Sequence, residues 1–455
     1  MAILFVGNAL FLGTNSGLER TFVGSFTGDA AIGPESGGAF SLFGNEIPII
    51  SNLELIPSLY SHNRLIEAIE QEPAVKAYTS IVSVPVRMEI DGFKKNIPIF
   101  GVDPAGYRQV CTDIDVLSGD FDALSQSGVF LNSDLAQEIE DELNRPLKRG
   151  EPVSFTIASG NSFRVKKAPY LGIHRYPGNT KVLERVVLAD LTTVRYLADY
   201  TLGSSISDEA TGDGEVDDFN FDSLFSEDMD IEADPLEDFD FDDFEADLAD
   251  TDVRDTLVET DTGAWSFILM KAVEGKRSAL YRKINRIVDD FEGEAEFLSW
   301  RRAAGSTALI VFAVQTLFYV GLGFLGLGAV LVIMNALVFS VLERTGEIGT
   351  MRSMGASPHF IRALFMWESM IITIGGAVIG IFLGIIAVGI VKGLHIELSN
   401  SLLITLFGGT SLTPQITFTS LLGHLVIAVV MGSLAWIYPV SVAMRVQPVS
   451  AINKV

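Results

Sequence analysis

Four charged side chains stand in a short segment between two of the most apolar stretches of the chain. Glu343, Arg344, Glu347 and Arg352 all lie in "ERTGEIGTMRSMGAS". Side chains of these types form ion pairs with each other or with a partner protein. Glu343 and Glu347 would lie on one face of a helix, where like charges cost a few tenths of a kcal/mol, so a basic partner would make better use of them. From the residues alone, both a docking segment and an ordinary solvated loop remain open.

The other titratable residues give little indication of catalysis. The histidines have no metal-binding spacing; they are His62, His174, His359, His395 and His424. Neither a G-x-x-x-x-G-K-[ST] phosphate loop nor a G-x-S-x-G nucleophile motif occurs. For His424 we favour a hydrogen-bonded side chain over a proton relay. Cys111 is the only cysteine, which excludes an intrachain disulfide and is typical of a buried thiol. We therefore expect no enzyme activity, metal or cofactor in this chain.

The elements that position the charged segment are apolar helices. Mean hydropathy is +0.35 and 48% of the residues are hydrophobic, values typical of a membrane protein. Runs with few or no charges predict spans at about 306–342, 366–391 and 416–443. The first run has no charged residue from Ala303 to Leu342 and would form a helix roughly 60 Å long, about twice the hydrocarbon thickness, so we expect it to project beyond the bilayer as a stalk.

The distribution of Lys and Arg predicts the orientation of these spans. Arg344, Arg352 and Arg362 follow the first span, whereas residues 394–415 contain neither Lys nor Arg. Since cytoplasmic loops carry the positive excess, segment 343–361 should be cytoplasmic. The N-terminal "MAILFVGNALFLG" is too short to span a bilayer, and we interpret residues 1–16 as the remnant of a first transmembrane helix whose beginning is missing from this sequence.

Residues 17–300 have the pattern of a water-soluble α/β domain. Val82, Val84 and Val86 alternate along one face of a predicted strand, and Asp91-Gly92 predicts a tight hairpin turn after it. "VFLNSDLAQEIEDELN" predicts a strand followed by a helix, and "AWSFILMK" a further strand. We therefore expect a mixed α/β domain on the outer side.

Most of the formal charge of -26 belongs to one segment of this domain. Between Asp208 and Asp261 the sequence has 24 acidic residues and one basic residue. Like charge at this density opposes collapse, so residues 206–262 are predicted to be a disordered acidic insert. A solvated linker is favoured over a segment that docks on a basic surface, and no calcium-binding loop motif occurs.

A glycine stripe marks the second predicted span. Gly376, Gly380 and Gly384 recur every four residues and would lie on one helical face. Small residues at this spacing allow close contact between membrane helices, so we predict helix packing there.

The region "NALVFSVLERTGEIGTMRSMGASPHFIRALFMWESMIITIGGAVIG" resembles the signature region of the MacB/FtsX superfamily of ABC-transporter permeases. The matching residues are Asn335, Glu343, Arg344, Glu347, Ile348, Gly349, Arg352, Gly355, Ala356 and Ser357. The C-terminal "YPVSVAMRVQPVSAI" is similar to the closing motif of the family, and "FLSWRRAAG" is most like the lipoprotein-releasing (LolC/LolE-type) branch.

The resemblance implies an α+β membrane protein. Its parts would be a four-helix FtsX-type transmembrane unit whose first helix is truncated, a MacB-like periplasmic core domain over 17–300, and an FtsX-like transmembrane domain over 301–455. It further implies a multi-pass protein of the bacterial inner membrane. A cytoplasmic ABC ATPase would bind ATP and Mg, contacting Glu343, Arg344, Glu347, Ile348, Arg352 and Gly355.

The implied partners are that ATPase, a second permease chain, membrane lipids, a lipoprotein cargo and its periplasmic chaperone, with no nucleic acid. The expected function is lipoprotein release from the inner membrane. MacB-like efflux or peptide export, and FtsX-like regulation of cell-wall hydrolases, remain alternatives.

Overall fold

The computed structural model describes residues 1–35, 40–45, 55–159, 162–176, 183–204, 258–398, 400, 403, 407 and 411–444. The chain divides into two compact units. Met1–Thr21 and Ser306–Val455 contribute to one, called here the membrane unit; Phe22–Pro177 and Val182–Gly305 form the other, called the α/β unit.

The α/β unit is built on a ten-stranded mixed sheet. Its strands are β1 (Ala30–Pro34), β4 (Val75–Ile90), β5 (Phe93–Val102), β6 (Asp115–Ser118), β7 (Val129–Asn132), β8 (Pro152–Ser159), β9 (Ser162–Arg175), β10 (Val187–Ala189), β13 (Phe267–Ala272) and β14 (Ala295–Ser299). Along the sheet the strand order is β14-β1-β13-β4-β5-β10-β7-β9-β6, and β8 pairs with both β4 and β9. Two short ribbons pair β2 (Phe40–Ser41) with β3 (Gly44–Asn45) and β11 (Thr201–Ser204) with β12 (Val258–Thr260).

The predicted hairpin is confirmed as β4 and β5. Asp91 and Gly92 take φ values of 44° and 94°, the positive range that a two-residue turn needs and that glycine adopts without strain. Val82, Val84 and Val86 are buried, as their alternation indicates. The hairpin thus places one apolar face of the long strands in the core.

Helices cover this sheet and close two hydrophobic cores. They are α2 (His62–Glu70), α3 (Pro104–Val110), α4 (Ser133–Leu143), α5 (Leu191–Leu197), α6 (Arg277–Asp289) and α7 (Trp300–Ala303). One core packs α4 and α5 residues against β4, β5, β8 and β9. The other packs α2 and α6 against β1, β13 and β14. The strand and helix predicted from "VFLNSDLAQEIEDELN" are β7 and α4, and the strand predicted from "AWSFILMK" is β13.

The predicted acidic insert falls mainly on residues 205–257, which lie outside the described residues. Its end differs from the prediction, because Val258–Thr260 forms β12 and pairs with β11 in an antiparallel ribbon. Asp261, which follows β12, is also held in place, because its backbone N–H donates to Tyr200 O at 2.9 Å. β-branched Val258 and Thr260 favour a strand despite the neighbouring acids, so disorder cannot extend to residue 262.

The described part of the membrane unit consists of long helices and shorter ones that follow them. They are α1 (Ala2–Phe22), α8 (Gly305–Glu343), α9 (Thr345–Ser353), α10 (Pro358–Gly393), α11 (Phe418–Ala435) and α12 (Ile437–Met444). Three stretches within the described residues are long and apolar enough to cross a membrane: Val311–Glu343, Pro358–Gly393 and Phe418–Pro439. Many of their large apolar side chains are exposed, as expected where the solvent is lipid.

Three boundaries differ from those predicted. Helix α1 continues from residue 16 to Phe22, because Leu18, Glu19 and Arg20 are good helix formers even though the apolar run has ended. Helix α10 begins at Pro358, inside the predicted coupling segment 343–361, since proline is well suited to the first helical position. The predicted span 416–443 is interrupted at Trp436, between α11 and α12.

Candidate functional site

The charged segment folds as a separate short helix, α9, between two long apolar helices. Its end is set by Gly355, whose φ of 93° is favourable only for glycine. The N–H of Gly355 donates to Arg352 O at 3.1 Å and that of Ala356 to Met351 O at 2.9 Å. This pair of bonds is a Schellman motif, which terminates a helix and satisfies its last carbonyls. The sequence therefore fixes the length of α9 at its C-terminal end.

The next helix begins only three residues later. Ser357 is the N-cap of α10, and its Oγ accepts a hydrogen bond from Phe360 N at 3.3 Å. Pro358 follows at the first helical position, where its missing N–H costs nothing. Met354 to Ser357 therefore form a tight connection, and α9 is held at both ends.

One apolar side chain anchors α9 to the bundle. Ile348 is 1% exposed and packs in a small cluster with Val341 from α8 and Ile361 and Phe365 from α10. Met351 and Trp436 pack against the same cluster. Because three helices contribute to it, movement of α9 would disturb contacts on both neighbouring helices.

The charged residues of the segment pair within the chain. Arg344 Nε donates to Glu347 Oε2 at 2.9 Å, and its Nη1 lies 3.5 Å from Glu368 Oε2. The hydrogen bond to Glu347, followed by the charge of Glu368, raises the pKa of Arg344. The guanidinium thus joins α9 to α10 through two carboxylates.

The structure contradicts the expectation that Glu343 and Glu347 lie on one face of a helix. Glu343 is the last residue of α8 and Glu347 lies in α9, so the two carboxylates do not share one helical face. The non-helical backbone at Arg344, with φ of -98° and ψ of 18°, separates them. Sequence reasoning missed Glu368, although it is the only acidic residue between Pro358 and Gly393.

The outer surface of the segment is partly apolar. Met354 is 81% exposed and Phe360 is 57% exposed, next to exposed Arg362. Glu343 is exposed and Arg352 is half-buried. A partner that docks here would therefore meet both charged and apolar groups.

Two of the three glycines in the predicted stripe pack closely against α1, and the third does not. A Cβ at Gly380 would lie 2.7 Å from Met1 Cβ, and one at Gly384 would lie 2.7 Å from Phe5 Cδ1. Helix α1 therefore approaches α10 at these two positions more closely than any larger residue allows. At Gly376 no atom lies within 4 Å of an added Cβ, so no packing contact within the described part of the chain supports the prediction for that residue.

Helices α10 and α11 have a close contact that the stripe did not predict. A Cβ at Gly432 would lie 3.2 Å from Met370 Sδ and Thr373 Cβ. Ser369 Oγ donates to Gly432 O at 3.2 Å in the same contact. The isolated glycine in "VVMGSLA" gives no periodic signal that could have indicated it.

Cys111 and the histidines form no cluster that suggests catalysis. No group of three or more His, Cys, Asp or Glu residues could hold a metal ion among the residues that the structure describes. Cys111 is buried, and burial raises its pKa to about 12, so its thiol is unreactive. His174 is also fully buried, and burial lowers its pKa to about 3.

The part of the chain that contains α9 matches a known protein family. Residues 319–448 match the family model "FtsX-like permease C-terminal", a range that includes α9 and its neighbours. The chain is 47% identical over 70 residues to "ABC transporter permease YtrF" of Bacillus subtilis, covering 14% of this chain and 16% of that protein. It is 24% identical over 172 residues to "Lipoprotein-releasing system transmembrane protein LolE" of Haemophilus influenzae, covering 37% and 41%.

A third relative combines a permease with an ATP-binding part. The chain is 33% identical over 122 residues to "Macrolide export ATP-binding/permease protein MacB" of Nitrobacter winogradskyi, covering 27% of this chain and 17% of that protein. The chain spans less than half of the length of each of these three relatives. The signature segment forms a helix between two apolar helices and lies inside the range that matches the family model, so the chain is a membrane protein similar to ABC-transporter permeases of the MacB/FtsX superfamily.

Proposed function

We propose that the chain is the permease subunit of an ABC transporter and that a separate cytoplasmic ATPase docks on α9. In this proposal ATP and Mg are bound by the ATPase, and the permease acts as a dimer of identical or related chains. ATP-driven closure moves the extracytoplasmic domain, which we assign to residues 17–300. The observation that carries the proposal is the anchoring of α9, through buried Ile348, to both long helices beside it.

The anchoring is suited to transmitting force. A docking helix that only bound a partner would need no buried contact with its own chain. In α9, Ile348 and the Arg344 ion pairs connect the docking surface to α8 and α10. Force applied by an ATPase would therefore reach two membrane helices at once.

The proposed topology is a multi-pass protein of the bacterial inner membrane with α9 in the cytoplasm. Arg344, Arg352 and Arg362 supply the positive charge expected of a cytoplasmic segment. We also propose that α1 is the first of four membrane helices. Its support is the packing of Met1 and Phe5 against Gly380 and Gly384, which is close helix contact of the kind membrane bundles use.

For the cargo we propose a lipoprotein, released from the inner membrane to a periplasmic chaperone. The similarity to LolE supports this cargo, and the similarity to MacB supports an efflux or peptide-export permease equally well. Regulation of cell-wall hydrolases, as implied by the FtsX resemblance, is the remaining candidate. Depletion tests the first of the three: accumulation of lipoproteins in the inner membrane supports it, and normal lipoprotein release excludes it.

Docking on α9 is tested by co-purification with the ATPase encoded nearest to this chain. Because Glu347 is exposed and Arg352 is partly exposed on α9, we expect Glu347→Arg and Arg352→Glu each to reduce the recovered ATPase about tenfold, roughly 1.4 kcal/mol. The matched control is Lys392→Glu, a charge reversal at the opposite end of α10, which should leave recovery unchanged. If all three variants recover as much ATPase as the wild-type chain, α9 is excluded as the docking site.

A further inference from the structure

A cavity of about 330 Å³ lies within the membrane unit, between α1, α8 and α11. Nine of its twelve lining residues are Leu, Ile, Val, Met or Gly, and the three polar ones are Asn8, Tyr319 and His424. None of these residues belongs to the proposed ATPase-docking segment. The cavity therefore needs a separate explanation.

Two glycines of α8 provide the space. Gly323 and Gly326 line the cavity, and no atom lies within 4 Å of a Cβ added to either. The lining residues of α8 extend from Tyr319 to Val330, over which the helix rises by roughly 16 Å. The space thus extends along α8 and is bounded mainly by aliphatic groups.

The three polar side chains meet at one end of this space. Asn8 Nδ2 donates to Ser420 Oγ at 2.6 Å, and Tyr319 OH donates to Asn8 Oδ1 at 3.2 Å. His424 Nδ1 donates to Ser420 O at 2.8 Å. These bonds join α1, α8 and α11, and they fix the positions of the polar groups relative to the apolar walls.

His424 has one ring nitrogen left for a ligand. Because Nδ1 donates to a carbonyl, Nε2 of the neutral ring is a hydrogen-bond acceptor. The residue is 6% exposed, and within the described part of the chain no donor reaches Nε2. Nε2 is not fully enclosed by protein atoms, and His424 lines the cavity, so a ligand there can reach this nitrogen. Because an unpaired acceptor in an apolar environment is costly, a ligand that donates a hydrogen bond to it would be stabilised.

We propose that this cavity binds a single-chain lipid whose head group donates a hydrogen bond to His424 Nε2 while its chain fills the space beside Gly323 and Gly326. A volume of about 330 Å³ with mainly apolar walls suits one hydrocarbon chain, and the acceptor at His424 requires a hydroxyl or similar donor. A monoacylglycerol has both features. The inference concerns an intramembrane ligand site and does not depend on the proposed ATPase partner or cargo.

The test uses the full chain in lipid nanodiscs and a monoacylglycerol with a photoreactive diazirine in its acyl chain. After irradiation, mass spectrometry locates and quantifies the labelled peptides. We expect saturable labelling of α8 and α11 that unlabelled monoacylglycerol displaces. Labelling confined to other helices, or labelling that does not saturate, would overturn the proposal.

Two glycine substitutions on α8 form a matched pair. Gly326→Leu fills the cavity and should reduce labelling at least tenfold, because the added side chain occupies the space of the ligand. Gly328→Leu adds the same side chain where nothing lies within 4 Å, at a residue that does not line the cavity, and should leave labelling unchanged. Equal labelling of both variants would exclude the cavity as the site.

The head-group contact is tested separately. His424→Leu removes one hydrogen bond and should weaken labelling about tenfold. A photoreactive fatty-acid methyl ester, which has no hydrogen-bond donor, should label the wild-type chain and the His424→Leu variant equally weakly. Strong labelling of the wild-type chain by the ester, or a cross-link from the cavity wall to a second copy of the chain, would contradict the proposed ligand.

Discussion

The two units place apolar and polar side chains in opposite ways. In the α/β unit, large aromatic residues such as Phe130 and Phe155 are fully buried in the core. In the membrane unit Phe324 and Ile371 are each 69% exposed, whereas Ser369 is 0% exposed. The same residue types therefore contribute differently to stability in the two units.

The solvent explains this inversion. Water makes burial of apolar surface the main source of stability in the α/β unit. Lipid tails are as apolar as leucine, so the membrane unit depends on close packing and on hydrogen bonds between helices. The contacts at Gly380, Gly384 and Gly432, together with the bond from Ser369, are of this kind. Replacing a large side chain with a small one should therefore change the free energy of unfolding by very different amounts in the two units.

The largest expected difference comes from removing a phenylalanine ring in each unit. Phe155→Ala should lower the free energy of unfolding by about 3–5 kcal/mol, because it leaves a cavity in the core of the sheet. Phe324→Ala should change it by less than about 0.5 kcal/mol, because the ring is exposed. Denaturant titration of the full chain in a mild detergent measures both. A similar loss in the two variants would show that the contrast is incorrect.

A buried histidine makes the stability of the α/β unit dependent on pH. His174 has an ordinary pKa near 6.5 when unfolded, and burial lowers it to about 3 in the folded chain. Below pH 6.5 the unfolded chain gains a proton that the folded chain does not, so stability is lost as pH falls from 6.5 toward 3.

We expect this loss to reach on the order of 2 kcal/mol by pH 5, and we expect His174→Phe to abolish that part of the dependence. Unfolding curves measured at several pH values test the difference between variant and wild type. His359→Gln, at an exposed position, is the control and should retain the wild-type slope. Identical slopes for wild type and His174→Phe would refute the assignment.

Two glycine-to-alanine substitutions should have opposite effects on α9. Gly355→Ala places a side chain at φ of 93° and should destabilise the end of the helix by about 1 kcal/mol. Gly346→Ala adds a methyl group where no atom lies within 4 Å, and it should stabilise the helix by up to about 1 kcal/mol. Hydrogen exchange of the α9 amides would reveal the opposite signs. A change of the same sign in both variants would disprove the assigned helix end.

The smallest expected effect concerns a hydrogen bond between membrane helices. Ser369→Ala removes the bond to Gly432 O and should cost about 0.6 kcal/mol, a typical value for such bonds in membranes. Ser433→Ala is the control, since Ser433 is only half-buried and its hydroxyl bonds Val429 O within its own helix. Thermal unfolding in nanodiscs compares the two variants. If Ser369→Ala instead costs several kcal/mol, as removal of a ring from the core of the α/β unit should, the prediction is wrong.

Local patterns allowed much of the fold to be predicted. The Asp91-Gly92 turn, the alternation along β4 and the long apolar runs each indicate structure over a few neighbouring residues. The sheet order could not be predicted, because β1 lies between β13 and β14 although more than 200 residues separate it from both in the sequence. Such pairing depends on the packing of the whole core.

The candidate site was predicted in outline only. Its position and helical form follow from the composition of "ERTGEIGTMRS" and from Gly355. The pairing of Arg344 with Glu368 depends on how α10 packs beside α9, which spacing along the chain cannot reveal. The spacing of Gly380 and Gly384 likewise predicted a close helix contact, but it could not indicate that α1 makes this contact.

The β11–β12 ribbon has a consequence for how this protein can change over evolution. Ser204 and Val258 are paired across the ribbon, so the two ends of the intervening acidic segment are held side by side. Because these two ends already lie side by side, the pairing of β11 with β12 requires no particular length of sequence between them. Insertions and deletions between Ser204 and Val258 can therefore accumulate without a change in the register of the ribbon.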